Sequence, residues 1–314
     1  MTMLRVNTHN RCPVCQKPDW CLYDPDGSAA ICQRVPSDKR VSTKDAGYLH
    51  RLIDNRRPRV TTKTKAKADT TDWTAVAKRH VRHAGAELLD AVWGLPAGSH
   101  KCLPLVGYNP DDTGGPCWTV PMVNGAEQVV GVSRRYGDGS KKSMGRNGLF
   151  VPAGWQDRPG PVFVVEGASD TAAMWAAGLC AVGRPSNSGG SEMLTALLSQ
   201  TDEERAICVV VERDEKGNGL WPGLDGSMTV ARYLRKAFPK RPVKWAVVPA
   251  GIKDACEFLC HTYIDVEWED RGWGLSKVLM DNAVFAGDDA VTLARMVVEM
   301  RDALAEMQDR INNL

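Results

Sequence analysis

The chain has 314 residues, of which 43% are hydrophobic and 25% charged, and its formal net charge is +2. These values are typical of a folded protein of two or three compact units and exclude a largely disordered chain. No apolar run reaches 18 residues and no signal-peptide pattern is present, so we expect a cytoplasmic protein that does not enter a membrane. Ten cysteines in such a protein favour metal ligation over a disulfide framework.

Changes in composition divide the chain into five predicted segments. The first is turn-rich and bears cysteines, the second is a basic linker, the third mixes helix and strand, the fourth alternates strand and helix, and the last is helical. These predicted segments are 1–50, 51–72, 73–160, 161–264 and 265–314. The linker has almost no large apolar residues, which predicts a flexible tether.

The first segment carries four closely spaced cysteines, in the order C-x2-C-x5-C-x10-C. A C-x2-C pair presents two thiolates to one tetrahedral ion, and later cysteines complete the shell. So short a segment has little core, so metal binding would supply its folding energy, on the order of 10 kcal/mol for structural zinc. The predicted zinc ligands are Cys12, Cys15, Cys21 and Cys32. His9 is an alternative to one of the later two ligands.

In the third segment, the pattern of residues 76–92 predicts one amphipathic helix. Residues 118–123 and 128–136 read as strands, and a basic turn follows them. This strand-turn-strand unit favours binding to a polyanion, although any one of its cations could be an ordinary surface charge.

The fourth segment alternates four strand-like runs with helical runs of about ten residues, which predicts a parallel four-stranded α/β sheet with helices on both faces. Glu166 ends the first run, and Glu212 and Asp214 follow the third. Ligands gather beyond the carboxyl ends of parallel strands. Residues i and i+2 of an extended strand point to the same side, so these acids are candidates for a Mg²⁺ site. The alternative is that each is a solvated acid at the end of a strand.

Three motifs in this segment resemble the Toprim domain of bacterial DnaG-type and bacteriophage primases. They are VVEGASDTAAM, VVVERDEKG and VPAGIKDACEFL. The piece WTVPMVNGAEQVVGVSRRYGDGSKKSMGRNGLFVP resembles the amino-terminal half of the primase core. Together with the cysteine module, this order of zinc ribbon, basic core and Toprim domain is similar to that of primases along roughly residues 10 to 260.

The resemblance implies a DNA primase that copies single-stranded DNA into short RNA primers from ribonucleoside triphosphates. It implies two catalytic Mg²⁺ or Mn²⁺ ions held by Glu212 and Asp214. Glu166 would be a further ligand or the base, and Asp254 would contribute through water. The cations implied for nucleotide and template are Arg134, Arg135, Lys141, Lys142, Arg146 and Lys253.

Two departures from the family pattern matter. Glu212 stands where the family usually has aspartate, and an insertion, EKGNGLWPGLDGS, follows Asp214. We expect Asp225 to cap the next helix, while its reach to the metal site stays open. The chain has no G-x4-G-K-[ST] loop, so any helicase would be a separate partner.

Two other functions remain possible from the sequence. One is a Toprim nuclease that hydrolyses with the same acids. The other is a non-catalytic adaptor of replication that binds single-stranded nucleic acid.

The tail of the last segment reads as one amphipathic helix. Its apolar stripe must bury against something, either the protein's own core or a helicase partner. The stripe comprises Val291, Leu293, Met296, Val297, Met300, Leu304 and Met307.

Overall fold

This computed structural model describes residues 3–25, 27–37, 39, 41, 47–52, 69–215, 221–262 and 264–286. The chain separates into two compact units, residues 1–68 and 69–314. The apolar stripe predicted for the tail and most of the predicted linker lie outside the described residues. No described helix is long and apolar enough to cross a membrane.

The first unit is a small antiparallel sheet of four strands that neighbour one another in chain order. The strands are β1 Leu4–Arg5, β2 Leu22–Tyr23, β3 Ala29–Cys32 and β4 Tyr48–Arg51. Its core cluster consists of Val6 and three of the predicted ligand cysteines. Since so few apolar side chains are buried, hydrophobic burial alone gives this unit little stability.

The second unit begins with two short helices, α1 Trp73–Val81 and α2 Leu88–Trp93. The prediction of one continuous helix over residues 76–92 was therefore wrong. Between the two helices, Gly85 has a φ of +121°, which only glycine adopts readily. A Cβ atom at this position would lie 3.2 Å from Cγ of Tyr108, so close packing also requires glycine.

A four-stranded antiparallel sheet follows, again in chain order. Its strands are β5 Gly107–Asn109, β6 Cys117–Val123, β7 Val129–Tyr136 and β8 Lys141–Gly145. The predicted strands of residues 118–123 and 128–136 are β6 and β7. In the β7–β8 hairpin, Arg135 is in register with Lys141 and Arg134 with Lys142.

The larger sheet has five strands in the order β10-β9-β11-β12-β13. They are β9 Val162–Glu166, β10 Ala181–Arg184, β11 Ile207–Val211, β12 Val243–Val247 and β13 Val284–Phe285. The first four run parallel, as predicted, and β13 adds an antiparallel edge. The chain passes from β9 to β10 on one side and then to β11 on the other. The loops that follow β9 and β11 therefore diverge at a topological switch point, the position at which open α/β sheets have their ligand crevice.

Helices cover both faces of this sheet, as predicted. They are α3 Gly167–Ala176, α4 Ser191–Leu198, α5 Pro222–Ala237, α6 Ala255–His261 and α7 Trp268–Asp281. Along β9, Phe163 and Val165 enter one apolar cluster and Val162 and Val164 enter the other. Burial on both faces explains why this strand reads as a continuous apolar run until Glu166.

Candidate active site

The predicted acids follow neighbouring strands at the carboxyl edge of the larger sheet. Glu166 is the last residue of β9, and Glu212 follows β11 directly. Burial raises the pKa of Glu212 to about 7, and Glu166 and Asp254 add to this shift. Burial also raises the pKa of Glu166, and Asp214 adds to that shift. The structure therefore brings these four carboxylates into one electrostatic environment.

The spacing of the acids is wider than that of a closed metal cage. Among the described residues, only the four cysteines place three or more ligand atoms within 4.8 Å of one another. Mg²⁺ is usually held by one or two carboxylates and keeps several waters, so it needs no such cage. Carboxylates that share a crevice and repel one another have the donor chemistry that a hard divalent cation favours.

Asp214 has a second contact that the sequence did not reveal, because its carboxylate lies at the start of α5. Oδ1 of Asp214 accepts a hydrogen bond of 2.7 Å from the backbone N–H of Gly223. A Cβ at Gly223 would lie 2.6 Å from this oxygen, so glycine allows the close approach.

The prediction that Asp225 caps this helix was wrong. The helix begins earlier, at Pro222, and Asp225 is exposed within its first turn. Proline suits the first helical position because its φ is already helical and it has no N–H to satisfy.

Lys253 and Asp254 face the same crevice from the start of α6. Asp254 caps this helix, since its Oδ1 accepts from the N–H of Glu257 at 2.8 Å. Its Oδ2 lies 2.8 Å from Nζ of Lys253. This hydrogen bond raises the pKa of Lys253, and Glu212 adds to the shift. Lys253 is also tied to the chain after β11, because its carbonyl accepts from the N–H of Arg213 at 2.7 Å.

The sequence analysis missed two buried charged residues near the acids. Arg184 ends β10 in register with Glu166, and its side chain is fully buried. Asp170, on α3, is 2% exposed and accepts from the N–H of Cys256 at 3.2 Å. Burial raises the pKa of Asp170 well above its usual value, and Asp254 and Glu212 add to the shift. The sequence contained a signal for both residues, because each is a charged residue within an otherwise apolar run.

The predicted basic residues separate into different settings. Lys141 is exposed at the start of β8, and its charge opposes the pKa rise that burial causes at Glu166. Arg134 instead pairs with Asp112, with Nη1 at 2.9 and 3.1 Å from the two carboxylate oxygens. The side chains of this pair are 13% and 5% exposed. Arg134 is thus held within the small sheet and is not presented to solvent.

The other three hairpin cations also differ from one another. Lys142 is exposed, and its Nζ lies 5.3 Å from the ring centroid of Tyr136. Arg135 is half-buried, and Arg146 is exposed just beyond β8. The charges of Lys141 and Lys253 both oppose the rise in the pKa of Glu166 that burial causes.

In the first unit, the four predicted cysteines form one cluster, and His9 is not a member of it. Sγ of Cys21 lies 3.7 Å from that of Cys15 and 3.9 Å from that of Cys32. Four sulfurs around zinc at about 2.3 Å lie about 3.8 Å apart, so the cluster has the size of a tetrahedral zinc site. The backbone N–H groups of Arg34 and Val35 donate to Sγ of Cys32, at 3.4 and 3.3 Å.

No protein-family profile and no curated protein matches this sequence. Among solved structures, the DnaG catalytic core superposes with a TM-score of 0.50 and 15% identity, over 72% of this chain and 83% of that one. The fold is that of the DnaG catalytic core. This confirms the predicted mixed α/β fold with a cysteine module ahead of it.

Two further primase structures superpose with lower TM-scores. One is the RNA polymerase domain of Mycobacterium tuberculosis DnaG in complex with double-stranded DNA, with a TM-score of 0.46, 17% identity, and coverage of 68% of this chain and 80% of that one. The other holds the zinc-binding and RNA polymerase domains of Aquifex aeolicus primase, with a TM-score of 0.48, 13% identity, and coverage of 68% and 60%. At these identities the similarity concerns the fold of this chain and leaves its chemistry to be argued from its own residues.

Proposed function

We propose that this chain is a DNA primase, a nucleotidyltransferase that joins ribonucleotides on a single-stranded DNA template. The observation that carries the proposal is a group of four carboxylates at the carboxyl edge of a parallel sheet, in a chain with the DnaG core fold. We call this group, Glu166, Glu212, Asp214 and Asp254, the acid crevice. Lys141 and Lys253 lie close enough to act on Glu166 electrostatically, so the crevice combines acids with cations suited to phosphate.

The proposed reaction assigns a role to each acid. Glu212 and Asp214 would hold the divalent cations, and Oδ2 of Asp214 is the oxygen suited to this because Oδ1 already caps α5. Glu166 would be a further ligand or would accept the proton of the attacking 3′-hydroxyl. Asp254 has both oxygens engaged within the protein, which favours a contribution through water. Bound Mg²⁺ or Mn²⁺ would make the hydroxyl more acidic and neutralise charge on the phosphates.

The basic residues would hold nucleotide and template. We assign contacts with the nucleotide phosphates to Lys141 and Lys253. Contacts with the template phosphates are assigned to the cations of the hairpin and just beyond it, which are Arg135, Lys141, Lys142 and Arg146. Arg134 would act on the template only indirectly, because its guanidinium is engaged by Asp112.

For the first unit, we propose that the four clustered cysteines bind one structural zinc ion. The unit would then contribute to template binding, as the segment order of the sequence suggests. A replicative helicase that docks on the C-terminal stripe, and a cytoplasmic location, complete the proposal.

A single assay separates this function from its two alternatives. The protein is incubated with labelled ribonucleotides, Mg²⁺ or Mn²⁺ and mixed single-stranded DNA templates, and the products are resolved by size. Short oligoribonucleotides are the result expected of a primase. A shortened template would instead show a nuclease, and template binding without any product would show an adaptor.

A further inference from the structure

Arg184 is a buried cation behind the acid crevice. It ends β10, beside Glu166 at the end of β9, and its side chain has no exposed area. In the sheet, β9 lies between β10 and β11. The side chain of Arg184 nevertheless reaches Val210 on β11, so the guanidinium crosses the end of β9.

The guanidinium joins three parts of the fold through hydrogen bonds. Nη1 donates to the carbonyl of Ser186, at 3.1 Å, and to that of Asn187, both in the loop after β10. Nη2 donates to the carbonyl of Val210 at 3.3 Å and to Oγ of Ser227, on α5, at 2.7 Å. All four acceptors are neutral, so these contacts hold the group in place without neutralising its charge.

The negative charge that balances Arg184 is that of the acid crevice. The nearest carboxylate oxygen is Oε2 of Glu166, 3.9 Å from Nη1, which is an ion pair but not a hydrogen bond. A buried guanidinium stays charged and needs nearby negative charge to offset its desolvation. Burial lowers the pKa of Arg184, and Glu166 and Glu212 oppose that shift.

We propose that Arg184 is a positioning residue, a permanent internal cation that orients the Glu166 carboxylate and partly neutralises the acid crevice before a divalent cation binds. The expected effect of Arg184 on catalysis rests on the proposed function, whereas its effect on the affinity for a divalent cation does not. The two effects should be opposite in direction. A resident cation weakens the attraction of the acids for a second cation, so its removal must tighten metal binding even as it impairs catalysis.

The test measures Mn²⁺ binding by electron paramagnetic resonance, without nucleotide or template. The variants are Arg184→Met, Arg184→Gln and Arg184→Lys, in the full chain. We expect Met and Gln to lower the Mn²⁺ dissociation constant about tenfold, since a unit charge within a few ångströms acts strongly in a partly buried site. Lys retains the charge and should bind Mn²⁺ like the unmodified chain. Primer synthesis should be slower in both neutral variants.

A matched control separates charge from anchoring. Ser227→Ala removes one hydrogen bond from the guanidinium but leaves its charge, so Mn²⁺ affinity should not change. Neutral variants that fold, as judged by circular dichroism, and bind Mn²⁺ no more tightly would overturn the proposal. So would the failure of both neutral variants to fold, because Arg184 would then be a structural strap.

The same data distinguish this proposal from the primase proposal. If the neutral variants bind Mn²⁺ more tightly but the unmodified chain makes no primers, the proposed function is overturned and the role of Arg184 stands. If the unmodified chain makes primers but the neutral variants bind Mn²⁺ no more tightly, the role of Arg184 is overturned and the proposed function stands. An unmodified chain that binds no Mn²⁺ would overturn both.

Discussion

Asp214 combines two roles within a single side chain. One oxygen caps α5 through the N–H of Gly223, and the other is the proposed metal ligand. Asparagine keeps the capping oxygen, whereas alanine loses it. We therefore expect Asp214→Asn to retain the free energy of unfolding, and Asp214→Ala to lose about 1 kcal/mol of it. Both variants should lose primer synthesis.

Urea denaturation and the primer assay measure these two effects separately. Asp225→Ala is the control, because Asp225 is exposed and does not cap the helix. Stability that stayed unchanged in Asp214→Ala would contradict the capping role. Full activity in Asp214→Asn would contradict the ligand role.

The buried carboxyl group of Asp170 leads to a prediction about how stability depends on pH. Burial holds its pKa in the folded state well above that in the unfolded chain, so the folded state loses stability as pH rises above about 4. Asp170→Asn keeps an oxygen for the N–H of Cys256 and removes the ionisation. We expect this variant to be more stable than the parent at neutral pH and equal to it at about pH 4.

Thermal unfolding at several pH values, without added divalent cation, checks this prediction. Asp202→Asn is the control for the loss of one carboxylate, since Asp202 is exposed whereas Asp170 is buried. A destabilised Asp170→Asn at neutral pH would show that the ionised carboxylate has a favourable partner.

At the level of single residues, the position of the acids at the edge of the sheet could be predicted and their buried neighbours could not. Glu166 and Glu212 interrupt apolar strands at their ends, and parallel strands bring such ends together. Arg184 also ends an apolar strand, but its burial depends on β10 lying beside β9 and on Ser227 approaching from α5. Neither condition is visible in the local sequence.

At the level of elements, the β7–β8 hairpin offers a contrast between two cations. Arg134→Ala would remove the only cation paired with the Asp112 carboxylate among the described residues and leave it the hydrogen bonds from Tyr136 and Gly114, and we expect it to cost about 1–3 kcal/mol of stability. Lys141→Ala should change stability by less than about 0.5 kcal/mol, because the side chain is exposed. Lys141→Ala should instead weaken the binding of single-stranded DNA and reduce its salt dependence by about 0.7 in logarithmic slope.

Denaturation and fluorescence anisotropy with a labelled oligonucleotide test the pair. Lys244→Ala is a control for the loss of one lysine, since Lys244 lies on β12 over the ring of Phe285. Equal loss of DNA affinity in Lys141→Ala and Lys244→Ala would mean that the effect is only one of net charge.

The elements that were misplaced are those whose boundaries depend on distant contacts. The periodic pattern of residues 76–92 continues through Gly85, but α1 ends at Val81, and Gly85 in the turn that follows has a positive φ and packs against Tyr108. The start of α5 is set by Asp214, nine residues before Gly223, and not by the aspartate nearest to the helix. The long parallel strands were predictable because burial on both faces leaves a continuous apolar run.

At the level of the whole molecule, the two units have separate cores, so they should respond separately to loss of metal. We expect Cys12→Ser to remove the bound zinc and to unfold residues 1–68, whose few buried apolar side chains cannot replace the metal. Residues 69–314 should keep their melting temperature. Elemental analysis and limited proteolysis, read together with thermal unfolding, measure these effects.

The control is Cys102→Ser, a buried cysteine of the second unit that lies outside the cluster. It should retain zinc and lower only the stability of the second unit. A Cys12→Ser protein that still contained one zinc per chain would contradict the four-cysteine site.

The order of the cysteine module, the antiparallel sheet and the parallel sheet was predictable, because each has its own composition and period. The order of the strands within the larger sheet was not predictable, since β13 pairs with β12 although two helices separate these strands in the chain. That order matters for the proposed function, because it places the loops after β9 and β11 side by side.

The most direct test of the central claim compares Glu212→Gln with Glu215→Gln in the primer assay. Glu212 is the half-buried acid of the crevice, and Glu215 is an exposed acid three residues later that provides a matched loss of charge. We expect Glu212→Gln to abolish oligoribonucleotide synthesis while template binding is retained, and Glu215→Gln to remain active. Near-normal synthesis by Glu212→Gln would contradict the claim that this crevice is the active site.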